Sequence, residues 1–255
     1  MSHYPEAITA VNHVEPSPRR IRAVLAGVNV VDTTRARYVW EWPYYPQYYL
    51  PLADVRPGVF ESEGPSQPSP QGLVEPHTLR VRDVLRAHAA KVVRETALAG
   101  LEGTVRLEWG AVDAWFEEDE PIFVHPRSPY VRVDALRSTR TVRVELGGVL
   151  LAESSSPVMV FETGLPTRYY LNRSEIDFSH LVPSDTITQC PYKGTTSGYW
   201  SIDVAGRVHP DLVWSYDFPT RQLLPVAGML AFYNEKLDIL IDGRPLERPQ
   251  THFFA

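Results

Sequence analysis

A single cysteine, Cys190, stands in the 255 residues of this chain. It leaves no partner for an intramolecular disulfide and excludes any Cys-rich zinc site. Long apolar runs are missing as well, and no stretch reaches the length needed to span a bilayer. The first twenty residues lack the basic start and apolar run of a signal peptide. Positive charge is in short supply: 25 Lys and Arg against 31 Asp and Glu give a net charge of −6. With no clustered basic face, binding to a nucleic-acid backbone is not expected. His125, His180 and His209 are scattered through Pro- or loop-rich contexts without His-x-x-x-His or Cys-x-x-Cys spacing, so no metal is expected. Neither standard Gly-rich phosphate loop is present, nor a Gly-x-Ser-x-Gly elbow. What these absences leave is an expected soluble, cytoplasmic protein with no cofactor and no nucleic-acid or membrane partner. Its 44% hydrophobic and 22% charged residues are ordinary for a globular chain.

What is present is an internal copy. Residues 21–55 moved by 121 positions fall on 142–176 without a gap. Arg22 lands on Arg143, Leu25 on Leu146, Gly27 on Gly148 and Val39 on Val160. Glu41 lands on Glu162, and Tyr48-Tyr49-Leu50 on Tyr169-Tyr170-Leu171. A fixed offset of this kind signals a duplicated domain. The expected organisation is a polar, partly ordered leader over 1–19, a degenerate first repeat over 20–138 and a second repeat over 139–255.

Each copy opens on period-two alternation, Ile21, Ala23 and Leu25 in one and Val142, Val144 and Leu146 in the other, the mark of half-buried strands. Ala26-Gly27 and Gly147-Gly148 supply turns between paired strands. β-branched and aromatic segments follow at 38–42 and 158–162, and a further strand at 237–243 closes the second repeat. Trp115 and Trp214, each followed by acidic residues and proline, are aligned as equivalents. In the middle the copies part. The first carries a Pro/Ser/Gly loop over 61–72, expected to be flexible, and then 82–100, where Leu85, Ala89, Val92, Val93 and Thr96 recur at helical spacing ahead of Gly100. The spacing predicts a helix there. The second copy carries 183–204 instead.

That second segment concentrates chemistry in Cys190-Pro191-Tyr192-Lys193-Gly194, with Tyr199-Trp200 behind it. A cysteine is nucleophilic only as thiolate, a form that a nearby Lys193 would favour; the competing reading is a small buried apolar residue. Glu162 ends an apolar strand and is a candidate acid or base. The plainer alternative pairs it with Arg168 across the following turn; Gln47 stands in place of that arginine in the first copy. Dense aromatics at 38–49, and Tyr169, Tyr170, Tyr192, Tyr199, Trp200, Trp214 and Tyr216 in the second copy, suit either a ligand cage or ordinary packing.

Thr163-Gly164-Leu165-Pro166-x-Arg168-Tyr169-Tyr170, Cys190-Pro191-Tyr192-Lys193-Gly194, Tyr199-Trp200, Trp214-Ser215-Tyr216 and Gly228-x-x-Ala231-Phe232-Tyr233 occur in that order. Over roughly residues 140–246 this series resembles the bacterial and fungal family known as domain of unknown function 427. Trp109 through Arg127 resembles a segment typical of its two-domain members. The resemblance implies a mainly β fold: two tandem β-tent-like antiparallel domains, here with one helix inserted in the first. Fold relatives include B-type methionine sulfoxide reductases and the thalidomide-binding domain of cereblon. Their four-cysteine zinc cannot be carried over to a chain with one cysteine. The family's nucleotidyltransferase-like label finds no paired metal-binding carboxylates here.

Three functions follow as expectations. The first is a small-molecule site in the second repeat, for a planar or anionic ligand. Cys190, Lys193 and Glu162 would be its candidate chemical groups, lined by Arg168, Tyr170, Tyr192, Tyr199, Trp200 and Trp214. The second is a protein-interaction scaffold presenting 38–49. The third is a thiol-dependent enzyme using Cys190.

Overall fold

The structure, a computed structural model, describes residues 9–251 and 254. Contacts divide the chain between Ser128 and Pro129, ahead of the boundary expected at 138/139. The first unit contains β1 (Val14–Pro16), β2 (Ile21–Leu25), β3 (Val28–Thr33), β4 (Arg37–Val39), β5 (Gln47–Pro51) and β6 (Phe60–Ser62). It continues with β7 (Gln67–Ser69), β8 (Gly72–Val81), β9 (Val84–Glu95), β10 (Thr104–Leu107), β11 (Ala114–Glu117) and β12 (Glu120–Ile122). The second unit contains β13 (Val133–Arg137), β14 (Val142–Leu146), β15 (Val149–Ser154), β16 (Val158–Glu162), β17 (Arg168–Leu171), β18 (Leu181–Ser184) and β19 (Gln189–Cys190). After these come β20 (Gly194–Thr195), β21 (Gly198–Val204), β22 (Arg207–Ser215), β23 (Leu230–Phe232), β24 (Asp238–Ile241) and β25 (Arg244–Pro245).

Both units follow one plan. A large antiparallel sheet runs β1-β4-β5-β10-β9-β8-β6 in the first and β13-β16-β17-β23-β22-β21-β18 in the second. A four-stranded sheet runs β12-β11-β2-β3 and β25-β24-β14-β15. The duplication read from the sequence is therefore a duplication of topology. It reaches further forward than expected: β1 pairs Val14 with Val39, and β13 pairs Ala135 with Val160 at the same offset. Part of the expected leader is thus a strand of the first unit; residues 1–8 lie outside the described residues. Residues 133–137 likewise belong to the second unit, not the first.

The expected turns form as read. Ala26 and Gly27 have φ of 50° and 71°, Gly147 and Gly148 of 59° and 82°, so both central residues are left-handed, as a tight hairpin between twisted strands requires. In each unit an isolated bridge, Val31 to Val55 and Ala152 to Ile176, ties the small sheet to the chain leaving the large one. The space between sheets fills with the alternating apolar residues. In the second unit Val142, Val144, Ile239 and Ile241 of the small sheet meet Met159, Leu171, Val213, Leu230 and Phe232 of the large one. Each fully buried side chain of this kind contributes about 1.5–3 kcal/mol.

The helix expected over 82–100 does not form. Residues 84–95 are β9, paired with β8 across a tight turn at Arg82-Asp83, where Arg82 has φ of 53°. A bulge explains the false period. The register jumps from His77 opposite Ala90 to Leu79 opposite Arg86, with His88 at φ of 54°. The extra residues bring Ala89 and Ala90 into the same core, and beyond them β9 is covered on both faces, Val92 by that core and Val93 by a second cluster with Val39, Tyr49, Val74 and Leu101, so consecutive buried pairs mimic helical spacing. A long partner strand overrides the helix propensity of Ala, Leu and Arg. The neighbouring loop 61–72 is not loose chain either, since β6 and β7 both pair with β8. Trp115 and Trp214 are not equivalents: Trp115 lies on β11 of the small sheet, Trp214 on β22 of the large one.

Candidate functional site

Directly paired residues of a sheet share a face. Val160 pairs Arg168, Tyr170 pairs Ala231, Ala231 pairs Trp214, and Trp214 pairs Tyr199. These residues, with Glu162, Tyr216 and Tyr233 two positions further along their strands, form the face of the large sheet turned away from the inter-sheet core. Val158, Val160, Tyr170, Tyr199, Trp214 and Tyr216 pack there against Leu223 and Val226 of the 3-10 turn at Arg221–Val226.

A short flap, β19 and β20, brings the Cys-Pro-Tyr-Lys-Gly segment to this face. Thr188 and Thr196 close its base: Thr188 N donates to Thr196 Oγ1 at 2.8 Å, and Thr196 N to Thr188 O at 2.9 Å. Lys193 N donates to Cys190 O at 3.3 Å across the turn, and Thr220 N to Lys193 O at 3.0 Å. Gly194 has φ of 102°, a conformation that L side chains rarely adopt. The turn directs Lys193 inward. Its ammonium donates to Glu162 Oε2 and lies 3.7 Å from Cys190 Sγ. Lys193 and Glu162 side chains are 12% and 8% exposed, so this is a buried ion pair. Burial alone would lower the Lys193 pKa. Cys190, Glu162 and Tyr170 outweigh it and hold the group above the usual lysine range, as an ammonium. Tyr170 OH accepts from Trp214 Nε1 at 3.1 Å, and burial pushes the Tyr170 phenol up to about 12.

Arg168 does not pair with Glu162. It makes a two-pronged pair with Glu235, Nη1 to Oε2 at 2.6 Å and Nη2 to Oε1 at 2.7 Å, and also donates to Asn234. It stacks 5.3 Å from the Tyr233 ring and 5.8 Å from that of Trp214. Trp214 and Tyr233 are 4.4 Å apart, and the hydroxyls of Tyr199 and Tyr233 lie 3.0 Å apart. Cys190, Lys193, Glu162, Tyr170, Tyr199 and Trp214 thus lie together on this face, with Arg168 buried behind them in an ion pair of its own. Tyr192 sits on the flap, where its carbonyl accepts from Thr220 Oγ1. Trp200 is on the opposite face. It alternates with Tyr199, covers Gly198, where a Cβ would come within 2.5 Å of its ring, and lies near Phe178 and Arg173. Glu235 and Tyr233 were missed as site residues, and Tyr216 was read only as one of the second copy's aromatics. Tyr-Asn-Glu after the Ala231-Phe232 strand was the available signal for the first two.

The first repeat builds the same position differently. Arg106 stands where the second has Ala231, since each pairs with the second tyrosine of its Tyr-Tyr. Arg106 Nε donates to Glu41 Oε1 at 3.1 Å, as Tyr49 OH does at 2.9 Å, and Arg106 also pairs with Glu108. Lys91, in the register place of Trp214, pairs with Glu108 at 3.2 Å. Its inter-sheet core holds a separate polar group: Tyr48 OH donates to Glu117 Oε1 at 2.6 Å and Arg19 to the other oxygen. Of the aromatic run 38–49, Tyr38, Trp40, Tyr48 and Tyr49 are buried, leaving Trp42 and Tyr44 as the exposed ones.

Among the described residues, no group of His, Cys, Asp and Glu is placed to hold a metal ion, and no helix is long and apolar enough to cross a membrane. The fold and the site define a tandem, all-β protein whose two copies share a carboxylate position but not its surroundings. A family profile described as domain of unknown function (DUF427) matches residues 13–118 and again 134–243, and the chain belongs to that family as a tandem member. No curated protein matched the chain.

Proposed function

We propose that the second repeat is a small-molecule-binding domain, with Lys193, Glu162 and Cys190 as its recognition centre against the Tyr170, Trp214 and Tyr199 wall. The observation that carries this reading is the buried Lys193 ammonium, delivered by a flap to a carboxylate and a thiol on an aromatic face. A fixed cation beside rings suits a ligand with an anionic group and a planar body, the anion exchanging with Glu162 for the ammonium. The first repeat supports the assignment by contrast, because a guanidinium from its own sheet already occupies the corresponding place.

The test is a thermal-shift screen against nucleotides, nucleosides, sulfoxides and small aromatic metabolites. A ligand at 100 times its dissociation constant stabilises the fold by about 2.7 kcal/mol. Lys193→Ala is expected to abolish that shift while keeping the circular dichroism of the parent. An unchanged affinity in that variant overturns the reading.

A second reading has one specific support. Trp42 and Tyr44 are 41% and 38% exposed and their rings pack 4.8 Å apart. An exposed aromatic pair is a common interface anchor. This scaffold reading rests on two residues rather than on the whole segment 38–49. Recovery of a partner by the parent but not by Trp42→Ala, with the screen silent, would favour it.

A further inference from the structure

The first repeat has a groove of its own. It encloses about 310 Å³ and is lined by Glu63, Gln67, Pro76, His88, Ala90 and Lys91. Lys91 and Pro76 are direct partners in the sheet, in the register places that Trp214 and Tyr199 hold in the second repeat. There the rings pack against Leu223 and Val226; in the first repeat the place is an open, polar groove. His88 stands on the β9 bulge with φ of 54°, a costly conformation for a residue with a side chain. Bulges re-aim side chains beside sites. Glu63 holds residue 88 twice: Oε1 accepts from His88 N at 2.7 Å, and Oε2 from Nδ1 at 2.6 Å. Thr78 Oγ1 donates to Oε1 as well. Thr78 and the His88 amide keep the Glu63 carboxyl below the usual glutamate range, so it is an acceptor only. Nδ1 therefore carries the proton, and the lone pair of the neutral ring lies on Nε2. Nε2 has no protein partner among the described residues, and the side chain is 86% exposed. A carboxylate behind Nδ1 with Nε2 left free is how a catalytic imidazole is held in one tautomer.

We propose that this groove is a catalytic site in which Nε2 of His88, held by Glu63, attacks the carbonyl of a small uncharged ester. Its volume suits a small molecule, and Glu63 in the wall disfavours an anionic one. The Nε2 lone pair adds to the carbonyl carbon, and negative charge grows on the carbonyl oxygen. Lys91 is the cation of the groove for that charge; Glu108, 3.2 Å away, engages one of its three ammonium protons. The bond from the acyl carbon to the alcohol oxygen breaks, leaving an acylated imidazole and an alkoxide. Nδ1 keeps its proton on Glu63, whose charge balances the acylated ring. Water then adds to the acyl carbon, the C–N bond breaks and the neutral ring returns. The proton of the new acid passes to the alkoxide, so ester and water give acid and alcohol. Glu63 is a positioning residue, acting through the ring. The inference stands apart from the ligand-binding reading, since every residue in it belongs to the first repeat.

The probe is para-nitrophenyl acetate, read as nitrophenolate released over many turnovers, which a single acylation of Cys190 or a lysine does not give. The folded protein is expected to turn over at least about tenfold faster than the same chain, with the same eight histidines, unfolded in urea. His88→Gly removes the ring at a φ that suits glycine. It is expected to bring the folded rate down to the unfolded one with an unchanged circular dichroism spectrum. Glu63→Gln is expected to lower kcat at least about threefold with KM held within about twofold, the mark of an interaction made in the transition state. A folded rate no greater than the unfolded one overturns the proposal, as does a folded His88→Gly that turns over like the parent. An unchanged kcat in folded Glu63→Gln overturns it too, since the ring then acts without its carboxylate. Should a variant lose its native spectrum, the ratio of folded to unfolded rates for the parent decides alone.

Discussion

The two repeats put a glutamate at the same place on the same strand and then neutralise it by different means. In the first, Glu41 meets Arg106 from a neighbouring strand, and Arg106 and Lys91 share Glu108. In the second, alanine and tryptophan replace Arg106 and Lys91, and the ion pair of Lys91 with Glu108 gives way to the ring pair of Trp214 with Tyr233. The cation for Glu162 then comes from a flap. A charge network built within a sheet is a fixed structural element. A cation carried on a two-stranded flap can exchange partners without disturbing the sheet beneath it. The difference teaches where to look for binding: topology is common to both copies, and the second draws the cation for its glutamate from a flap rather than from the neighbouring strand.

Several substitutions break or sharpen that contrast. The largest effect is expected from Arg168→Ala, which leaves the Glu235 side chain, 2% exposed, without its cation. Removing one partner of a buried pair costs about 3–5 kcal/mol, measurable by urea unfolding. The pair also shapes the acid limb. Burial would raise the Glu235 pKa, but the Arg168 hydrogen bonds outweigh it and lower the value. The stabilisation is therefore present above the ordinary glutamate range and lost as pH falls through the depressed value; Glu235→Gln should flatten that limb. Next, Glu162→Gln strands the Lys193 ammonium beside Cys190 alone and is expected to cost about 3 kcal/mol. The matching Glu41→Gln should cost only about 1 kcal/mol, because Arg106 keeps Glu108. Equal costs at both sites would break the comparison. On the alkaline side, Tyr170 rises from 10 to about 12 with folding, so its neutral form is the stabilising one. That contribution is intact below pH 10 and is lost as pH rises towards 12, on the order of 2 kcal/mol. Tyr170→Phe should make the alkaline limb shallower. The smallest effect is expected from Trp42→Ala, under about 1 kcal/mol in stability, since the ring is 41% exposed.

Much of this was legible in the sequence, because repeat offset and period-two alternation are local signals. The strands and the Ala-Gly and Gly-Gly turns follow from them, and the turn bounded by Pro191 and Gly194 suggests Cys190 beside Lys193, but the pairing of Lys193 with Glu162 has no such local signal. What was not legible depends on pairing. The bulge at His88 and the cover on both faces of β9 put buried residues at helical spacing, and only the partner strand 72–81 reveals a hairpin. Arg168 lies six residues from Glu162 and far along the chain from Glu235, so spacing favoured the wrong carboxylate. Trp200 follows Tyr199 and shares its composition signal, yet alternation sends it to the other face.

The most direct test of the central contrast is ligand-induced thermal stabilisation measured side by side on the parent, Lys193→Ala and Arg106→Ala. A compound that stabilises the parent and Arg106→Ala alike but not Lys193→Ala is the predicted result. Stabilisation that survives in Lys193→Ala and disappears in Arg106→Ala would place binding in the first repeat and contradict the account.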